Sequence, residues 1–433
     1  MKFKDLNLTE SLLRAIEIEG YETPSAIQEQ AIPHILNGKD VLGCAQTGTG
    51  KTAAFALPLI NNLIEEDNFD RTIKVLVLTP TRELALQVRD NFIKYGVDTR
   101  LKCSVILGGV NQRSQVEVLK RGVDVLVATP GRLLDLIKQR RVKLKNVKTL
   151  VLDEADTMLD MGFIHDVKKI ISYIPEERQT LLFSATMPNE VKHLAKELLK
   201  DYVTVKVNSE SLTVEKIDQS VYFVDKINKS KLLLELLEED SIKSVLIFVR
   251  TKHGADKLSE ILSQNGINTG VIHGDKPQKA RMLALKFFKS GKHKALVATD
   301  IAARGIDITE LSHVINYEIP EKAETYIHRI GRTGRAGLRG TAISFCNFDE
   351  QRSLKDVERV INKSIPVVGE HNYKMEQTVL IRKPSGNRKN NRKNNNKFSS
   401  NNNGGNNRKN TSKKNNYNSS RKTHGRSNNK SKY

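Results

Sequence analysis

Apolar side chains come in short, nearly unbroken runs over the first part of the chain, at 75–78, 125–127, 150–152 and 181–183. Runs this short do not make helices, and a strand wetted on one face would alternate apolar with polar residues. Strands buried on both faces read this way. Between the runs, Leu84, Val88 and Phe92 fall at four-residue intervals, the spacing that lines one face of a helix. The alternation predicts an α/β domain whose parallel sheet is covered by helices. A polar stretch at 208–216 interrupts the pattern, which then restarts with strands expected at 221–224, 245–249, 295–298, 314–317 and 342–345. The organisation predicted is a first domain at 1–207, a linker at 208–216, a second α/β domain at 217–370 and a tail at 371–433.

A chain of 433 residues exceeds what one core usually supports, which agrees with two domains. From Ile381 onward there is almost nothing apolar to bury, so the tail is expected to be disordered. Residues 381–433 hold sixteen Lys/Arg and no Asp/Glu, leaving +5 of the net charge of +21 for everything before them. A basic, Asn-rich segment interspersed with Phe398, Tyr417 and Tyr433 points to a polyanion, nucleic acid above all. Three scattered cysteines, Cys44, Cys103 and Cys346, suit neither a disulfide framework nor a zinc site and fit a reducing compartment. The opening MKFKDLNLTE lacks the apolar core of a signal peptide, and no stretch approaches the length of a bilayer span. A soluble, cytoplasmic protein without a membrane partner is expected.

The candidate chemistry starts in VLGCAQTGTGKTAAF. An apolar strand end leads through Ala45, Gln46, Thr47, Gly48, Thr49 and Gly50 to Lys51, Thr52 and a helix-compatible run. Backbone N–H groups of such a loop surround phosphate oxygens, and the following helix N-terminus adds a favourable dipole. Lys51 is expected on the β- and γ-phosphates and the Thr52 hydroxyl on magnesium. The strict pattern opens with Gly, where this chain has Ala45. Roughly a hundred residues further on, TLVLDEAD sets Asp153 and Glu154 just beyond a buried strand. Asp153 is expected to hold magnesium through water, and Glu154 to orient and deprotonate the attacking water, the division of labour that phosphoryl transfer from ATP requires.

With Asp153, Glu154, Ala155 and Asp156 in that order, the chain resembles the DEAD-box family of ATP-dependent RNA helicases, and further family motifs follow between about Phe3 and Phe345. The resemblance implies an α/β fold of two tandem RecA-like domains with parallel sheets, followed by the disordered basic tail. GYETPSAIQ at 20–28 resembles the Q motif, although Ser25 and Ala26 stand where Thr and Pro are usual. Gln28 would then read the adenine edge through its carboxamide, as Gln reads adenine in DNA, while Tyr21 or Phe3 supplies an apolar face. Ser184, Ala185 and Thr186 resemble the motif that couples hydrolysis to strand separation, with two hydroxyls bridging to the carboxylates of 153–156. HRIGRTGR at 328–335 implies that Arg332 and Arg335 are arginine fingers, and Asp307 is similar to the residue that contacts the ribose. Because these arginines lie in the second domain and the phosphate loop in the first, nucleotide should close the cleft and hydrolysis reopen it.

Pro80, Thr81 and Arg82, Gly108 and Gly109, and Thr129, Pro130, Gly131 and Arg132 all follow expected strands and resemble RNA-contact motifs of the family. In the second domain Gly274 and Asp275, Gln278 and Arg281, and Thr299 and Asp300 occupy the corresponding places. A hydroxyl, a helix N-terminus and an Arg hold phosphates without reading bases, so binding independent of sequence is expected. Two other readings use the same residues: a DNA-translocating helicase with this ATPase core, and a passive RNA annealer in which the tail does the work. Intact Lys51, Glu154, Arg332 and Arg335 speak against the second. Ribosome assembly, messenger decay and cold adaptation are all family roles, and no residue here chooses among them or names a protein partner.

Overall fold

The first half of the chain opens with a 3-10 turn at Phe3–Leu6, α1 (Glu10–Ile18) and α2 (Ala26–Leu36). It continues through β1 (Val41–Cys44), α3 (Lys51–Glu65), β2 (Val75–Leu78), α4 (Arg82–Tyr95), β3 (Cys103–Ile106), α5 (Gln112–Lys120), β4 (Val125–Ala128) and α6 (Pro130–Lys138). It ends with β5 (Thr149–Leu152), α7 (Ala155–Asp160), α8 (Ile164–Ile171), β6 (Gln179–Ser184), α9 (Asn189–Leu198) and β7 (Val203–Lys206). These strands pair in parallel in the order β3-β4-β2-β5-β6-β1-β7. The structure is a computed structural model and describes residues 1–46, 48–66, 70–207, 217–303, 306, 311–334 and 340–376.

The second half repeats the scheme. It runs through β8 (Ile217–Phe223), α10 (Lys229–Leu237), β9 (Val245–Val249), α11 (Lys252–Gln264), β10 (Thr269–Ile272), α12 (Gln278–Lys289) and β11 (Ala295–Thr299). The remaining elements are α13 (Asp300–Ala303), β12 (His313–Asn316), α14 (Ala323–Ile330), β13 (Gly340–Cys346) and α15 (Gln351–Ile361). The sheet order is β10-β11-β9-β12-β13-β8, again all parallel. Both sheets belong to one compact unit, and they are called the first and second lobe below.

Burial explains why the pattern works. β2, β4 and β5 read VLVL, VLVA and TLVL and are buried along their whole length, because helices cover both faces of the sheet. On one face Phe55 of α3 packs against Phe92 and Phe183, with ring centroids 6.3 and 5.4 Å away. On the other, Leu133, Leu136 and Val167 form a separate apolar cluster. Each strand expected from the pattern is present. β7 and β10 were not anticipated, and β3 was expected only as the strand before Gly108, without a range; each of the three stands at the edge of its sheet.

The second lobe also holds a buried ion pair. Lys229 Nζ donates to the Tyr317 and Phe345 carbonyls, at 2.9 and 3.3 Å, and to the Glu350 carboxylate at 2.5 Å. It ties α10 to the C-terminal ends of β12 and β13. The tail was expected to begin at 371, but residues 371–376 pack on this lobe. Met375 N donates to the Phe223 carbonyl and the Tyr373 ring joins the apolar cluster, because this stretch still carries an aromatic ring to bury. The linker 208–216 and the tail from 377 lie outside the described residues. Among the described residues, no helix is long and apolar enough to cross a membrane.

Candidate nucleotide and nucleic-acid sites

Strand order sorts the motifs of the first lobe into two groups. The phosphate loop follows β1, the acidic run follows β5 and the Ser-Ala-Thr run follows β6, and these three strands are neighbours in the order β5-β6-β1. Pro80–Arg82 follow β2, Gly108 and Gly109 follow β3, and Thr129–Arg132 follow β4, which are neighbours in the order β3-β4-β2. Ligands of parallel α/β sheets collect outside the carboxyl ends of the strands. One half of this sheet therefore presents the motifs expected at the nucleotide and the other half those expected at RNA.

At the loop, Ala45 is buried in the core and its N–H donates to the Ser184 carbonyl at 3.1 Å. Its φ is not positive, so the position needs no glycine and the departure from the strict pattern is sterically harmless. Gly50 is different. Its φ is +91°, and a Cβ there would stand 2.3 Å from the Gln28 Nε2. That nitrogen donates to the Gly50 carbonyl at 3.1 Å, while Gln28 Oε1 accepts from Ser25 N at 2.9 Å. The carboxamide expected to face adenine is thus anchored at both ends, which links the Q motif to the phosphate loop. Phe3 is buried in the core rather than offered as a stacking face, whereas Tyr21 is exposed, its hydroxyl 3.4 Å from that of Tyr95. Thr49 Oγ1 donates to the Gln46 carbonyl at 2.7 Å, closing the loop. Thr47 lies outside the described residues, as do Asp307 and Arg335.

Lys51 is 6 % exposed, and its Nζ has no hydrogen-bond partner among the described residues. A buried ammonium without acceptors is costly, and the nearby carboxyl groups of Asp153 and Asp156 act against that cost. Burial pushes the Asp153 carboxyl up to about 7, with Glu154 and Asp156 adding to the rise and Lys51 and the Glu154 N–H opposing it. At that value the carboxyl is only about half ionised at neutral pH, and additional positive charge beside it would favour the ionised form. Asp156 goes the other way. Burial opposes its ionisation, but Lys51, His328 and the Thr186 hydrogen bonds hold it below the usual carboxylate range.

Glu154 is buried and sits at φ +52°, ψ +54°, as the cap of α7. A non-glycine residue in this left-handed conformation costs about 1 kcal/mol, so the turn after β5 aims the Glu154 side chain at a local energetic cost.

The Ser-Ala-Thr run meets the acidic run, but through one hydroxyl rather than two. Thr186 Oγ1 and N both donate to Asp156 Oδ2 at 2.8 Å, and Ala185 N does so at 3.2 Å. Ser184 Oγ instead donates to the Thr186 carbonyl at 2.6 Å, because it is buried at the strand end where that carbonyl is within reach. Asp156, Ala185 and Thr186 face His328, Gly331 and Arg332 of the second lobe across a cleft of about 850 Å³. Arg332 is buried, and its Nη1 donates to the Ile306 carbonyl at 2.9 Å.

On the nucleic-acid side of the first lobe, a Cβ on Gly109 would stand 2.2 Å from Arg82 Nη1, and the φ of Gly109 is +71°. Gly109 lets the Arg82 guanidinium lie on the backbone, whereas a Cβ on Gly108 would make only ordinary contact with it at 3.5 Å. Arg132 Nη1 donates to the Val110 carbonyl at 3.2 Å, so three separate sequence motifs meet here. The Thr81 hydroxyl caps α4 by accepting from Leu84 N at 3.3 Å. Pro80, Thr129 and Pro130 are buried, while Gly131 is exposed at the N-terminus of α6.

The second lobe departs further from expectation. Gln278 Nε2 and Arg281 Nη2 each donate to the Glu83 carboxylate of the first lobe at 2.8 Å, and all three side chains are buried. They form a clasp between lobes rather than an open RNA surface, because α12 begins directly opposite α4. Asp300 accepts from Arg329 Nε and Nη2 at 2.5 and 2.8 Å. Its carboxylate thereby orients the buried Arg329, which also reaches Asn316 and the Glu318 carbonyl. Asp275 pairs with Lys252 at 2.6 Å. Gly274 is exposed and Thr299 half-buried at the strand ends beside them. Glu83 and Arg329 went unassigned in the sequence although both lie inside recognised motifs, in PTREL and HRIGRTGR. Nothing in a charged residue's identity says that its partner is protein.

A phosphate loop and an acidic turn in one parallel-sheet lobe, facing an arginine-bearing helix end in a second, define a two-lobed ATPase of the helicase class. The family model for DEAD/DEAH box helicases matches residues 25–194, and that for the helicase conserved C-terminal domain matches residues 228–337. The chain is 45 % identical over 360 residues to the ATP-dependent RNA helicase CshA of Limosilactobacillus reuteri, covering 83 % of this chain and 72 % of that one. It is 44 % identical over 363 residues to the DEAD-box ATP-dependent RNA helicase RhpA of Helicobacter pylori, covering 84 % and 73 %. Among solved structures it is similar to S. cerevisiae Dbp5 bound to RNA and ADP BeF3, with TM-score 0.77, 33 % identity and coverage of 85 % and 95 %. It is also similar to Mss116p bound to ssRNA and AMP-PNP, with TM-score 0.76, 29 % identity and coverage of 86 % and 79 %. The chain belongs to the DEAD-box family of ATP-dependent RNA helicases.

Proposed function

We propose that this protein hydrolyses ATP in the cleft between its lobes and uses closure of that cleft to bend one RNA strand, opening short duplexes locally without tracking along them and displacing bound proteins as it does so. The observation that carries the proposal is the facing of Asp156 and Thr186 by His328 and Arg332 across the cleft. A site divided in this way is complete only when the lobes meet, and closure and chemistry are then one event.

In this reading residues 1–207 bind nucleotide, 208–216 link the lobes, and 217–370 complete the site. Gln28 and Tyr21 border the adenine, and the loop from Ala45 to Thr52 holds the phosphates. The buried Lys51 ammonium, which has no hydrogen-bond partner among the described residues, suits the β- and γ-phosphates. The donor set also fits magnesium. Thr52 and the raised carboxylate of Asp153 are too few for an all-protein cage, but magnesium typically keeps one or two protein oxygens beside substrate phosphates and waters. When bound it supplies positive charge against the phosphoryl oxygens. Glu154 takes the proton of the attacking water, and Arg332, with Arg335, meets the charge that develops on the γ-phosphoryl. Asp156 and Thr186 carry the state of this site to the lobe interface.

The RNA path runs over Arg82, Gly109, Gly131 and Arg132 to Gly274 and Thr299, by backbone contacts that read no sequence. The stretch 377–433 adds affinity by electrostatics, and a helicase acting on cellular RNA belongs in the cytoplasm. The discriminating experiment compares ATP turnover with single-stranded RNA and with single-stranded DNA of the same sequence. Turnover well above the nucleic-acid-free rate is expected with RNA alone. Equal stimulation by DNA would replace this reading with that of a DNA-translocating helicase.

Deleting residues 382–433 is expected to weaken RNA binding and flatten its dependence on salt, since fewer Lys and Arg then release counterions, while ATP affinity stays the same. The slope of log Kd against log salt checks it. A slope unaltered by the deletion would mean that the sixteen basic residues do not touch RNA.

A further inference from the structure

Beyond the Glu83–Arg281 clasp, α4 and α12 leave between them a groove of about 740 Å³, away from the nucleotide cleft. Leu86 lies on the first wall, one helical turn past Glu83. Met282 and Leu283 lie on the second, 38 % and 48 % exposed. Lys279, Lys286 and Lys289 follow the same face of α12 at helical spacing, and none has a carboxylate within ion-pair distance among the described residues, while Asp90, the exposed carboxylate on the α4 wall, is already paired with Arg89. The apolar floor and cationic rim run from Lys279 to Lys289, roughly 15 Å or three helical turns.

We infer that this groove docks an amphipathic helix of a partner protein, one with acidic residues beside its apolar stripe, and that docking favours the closed lobes. The charge pattern selects the occupant. The basic tail of this chain has no acidic residue to offer the three lysines. Single-stranded RNA would want aromatic rings to stack its bases, and the groove has none among its lining residues. An apolar helix with a Glu or Asp flank satisfies both the leucine–methionine floor and the lysine rim.

The two walls belong to different lobes, so a helix seated across both binds the closed arrangement better than the open one. It shifts the equilibrium by that difference in affinity. This coupling rests on the nucleotide-driven closure proposed above. The docking itself does not.

The test displays peptides of about 20 residues tiling the proteome of the source organism, long enough for a marginal helix. They are selected on the full chain held with AMP-PNP and an RNA oligonucleotide. Enriched peptides are expected to carry Leu, Ile or Met at i, i+3 or i+4 and i+7 with Asp or Glu alongside. Their binding should weaken tenfold or more, about 1.4 kcal/mol or more, on Leu283→Glu. It should weaken on Lys286→Glu and return when the facing acid of the peptide is changed to Lys. Bound peptide should also lower the KM for ATP. Met282→Glu probes the same wall should Leu283→Glu lower the melting temperature.

The inference is overturned if no enriched peptide distinguishes wild type from Leu283→Glu. It is also overturned if Leu283→Glu instead weakens RNA binding or abolishes a concentration-dependent dimer, results that would give the groove to RNA or to a second copy. Peptides that bind equally without nucleotide would sink the coupling. RNA-stimulated turnover of the wild-type chain, measured alongside, reports separately on the closure mechanism.

Discussion

Glu154→Gln should lower RNA-stimulated ATP turnover by about a thousandfold, within the range that removal of a positioned general base usually costs, while leaving ATP binding nearly intact. The reasoning starts from the backbone. Residue 154 is held at φ +52° at the head of α7, where its side chain is buried. A glutamine is the same size, keeps a hydrogen-bonding oxygen and faces the same turn, so the loop should not rearrange. Only the capacity to accept a proton is lost. Binding is assigned in the proposed reading to other groups, chiefly Lys51 and the loop N–H groups, which the change does not touch.

A second consequence separates this account from simple damage to the fold. If hydrolysis reopens the lobes, the Gln variant should remain closed on RNA with ATP bound, and RNA should dissociate from it more slowly than from wild type. Single-turnover hydrolysis and RNA off-rates, with a melting curve as the folding control, check both. Turnover within about tenfold of wild type would remove Glu154 from the role of base.

How much of this was legible beforehand depended on burial. Interior strands such as β2, β4 and β5 are apolar at every position because helices cover both faces, and they stood out. The edge strands β3, β7 and β10 read CSVI, VTVK and TGVI, with half-exposed or exposed positions. Half-wet strands four residues long carry too little pattern to separate from a loop. The nucleotide motifs were legible for a related reason. The P-loop needs Gly50 at a positive φ and Lys51 at the head of α3, constraints that show in the local sequence.

What the sequence could not say was which polar side chains face each other. Gln278 and Arg281 looked like phosphate ligands and hold Glu83 instead. Asp300 looked like part of an RNA motif and orients Arg329. Partners separated by tens to hundreds of residues are set by how elements pack within a lobe and how the lobes meet, and no local spacing encodes that. The single-hydroxyl link from Thr186 to Asp156 is a smaller case, decided by the depth at which β6 buries Ser184.

Arg332→Ala should reduce kcat for RNA-stimulated hydrolysis by about 10³ or more, the scale on which arginine fingers act. The side chain is buried at the end of α14, fixed by the Ile306 carbonyl, and lines the cleft opposite the phosphate loop's lobe. A planar guanidinium can donate to that carbonyl and still offer other N–H groups to a phosphoryl oxygen, whereas an ammonium offers a compact point charge without the fork. Arg332→Lys is accordingly expected to recover little of the lost rate. A purely structural role would give the opposite result, since Lys can fill much of the space and donate to Ile306. ATP affinity measured without RNA should change by less than about threefold, under 1 kcal/mol, because the proposed mechanism has the first lobe alone hold nucleotide in the open state. The comparison that decides is between kcat and that affinity. If both fall together, Arg332 contributes to ordinary binding, and if neither falls, the charge across the cleft comes from elsewhere.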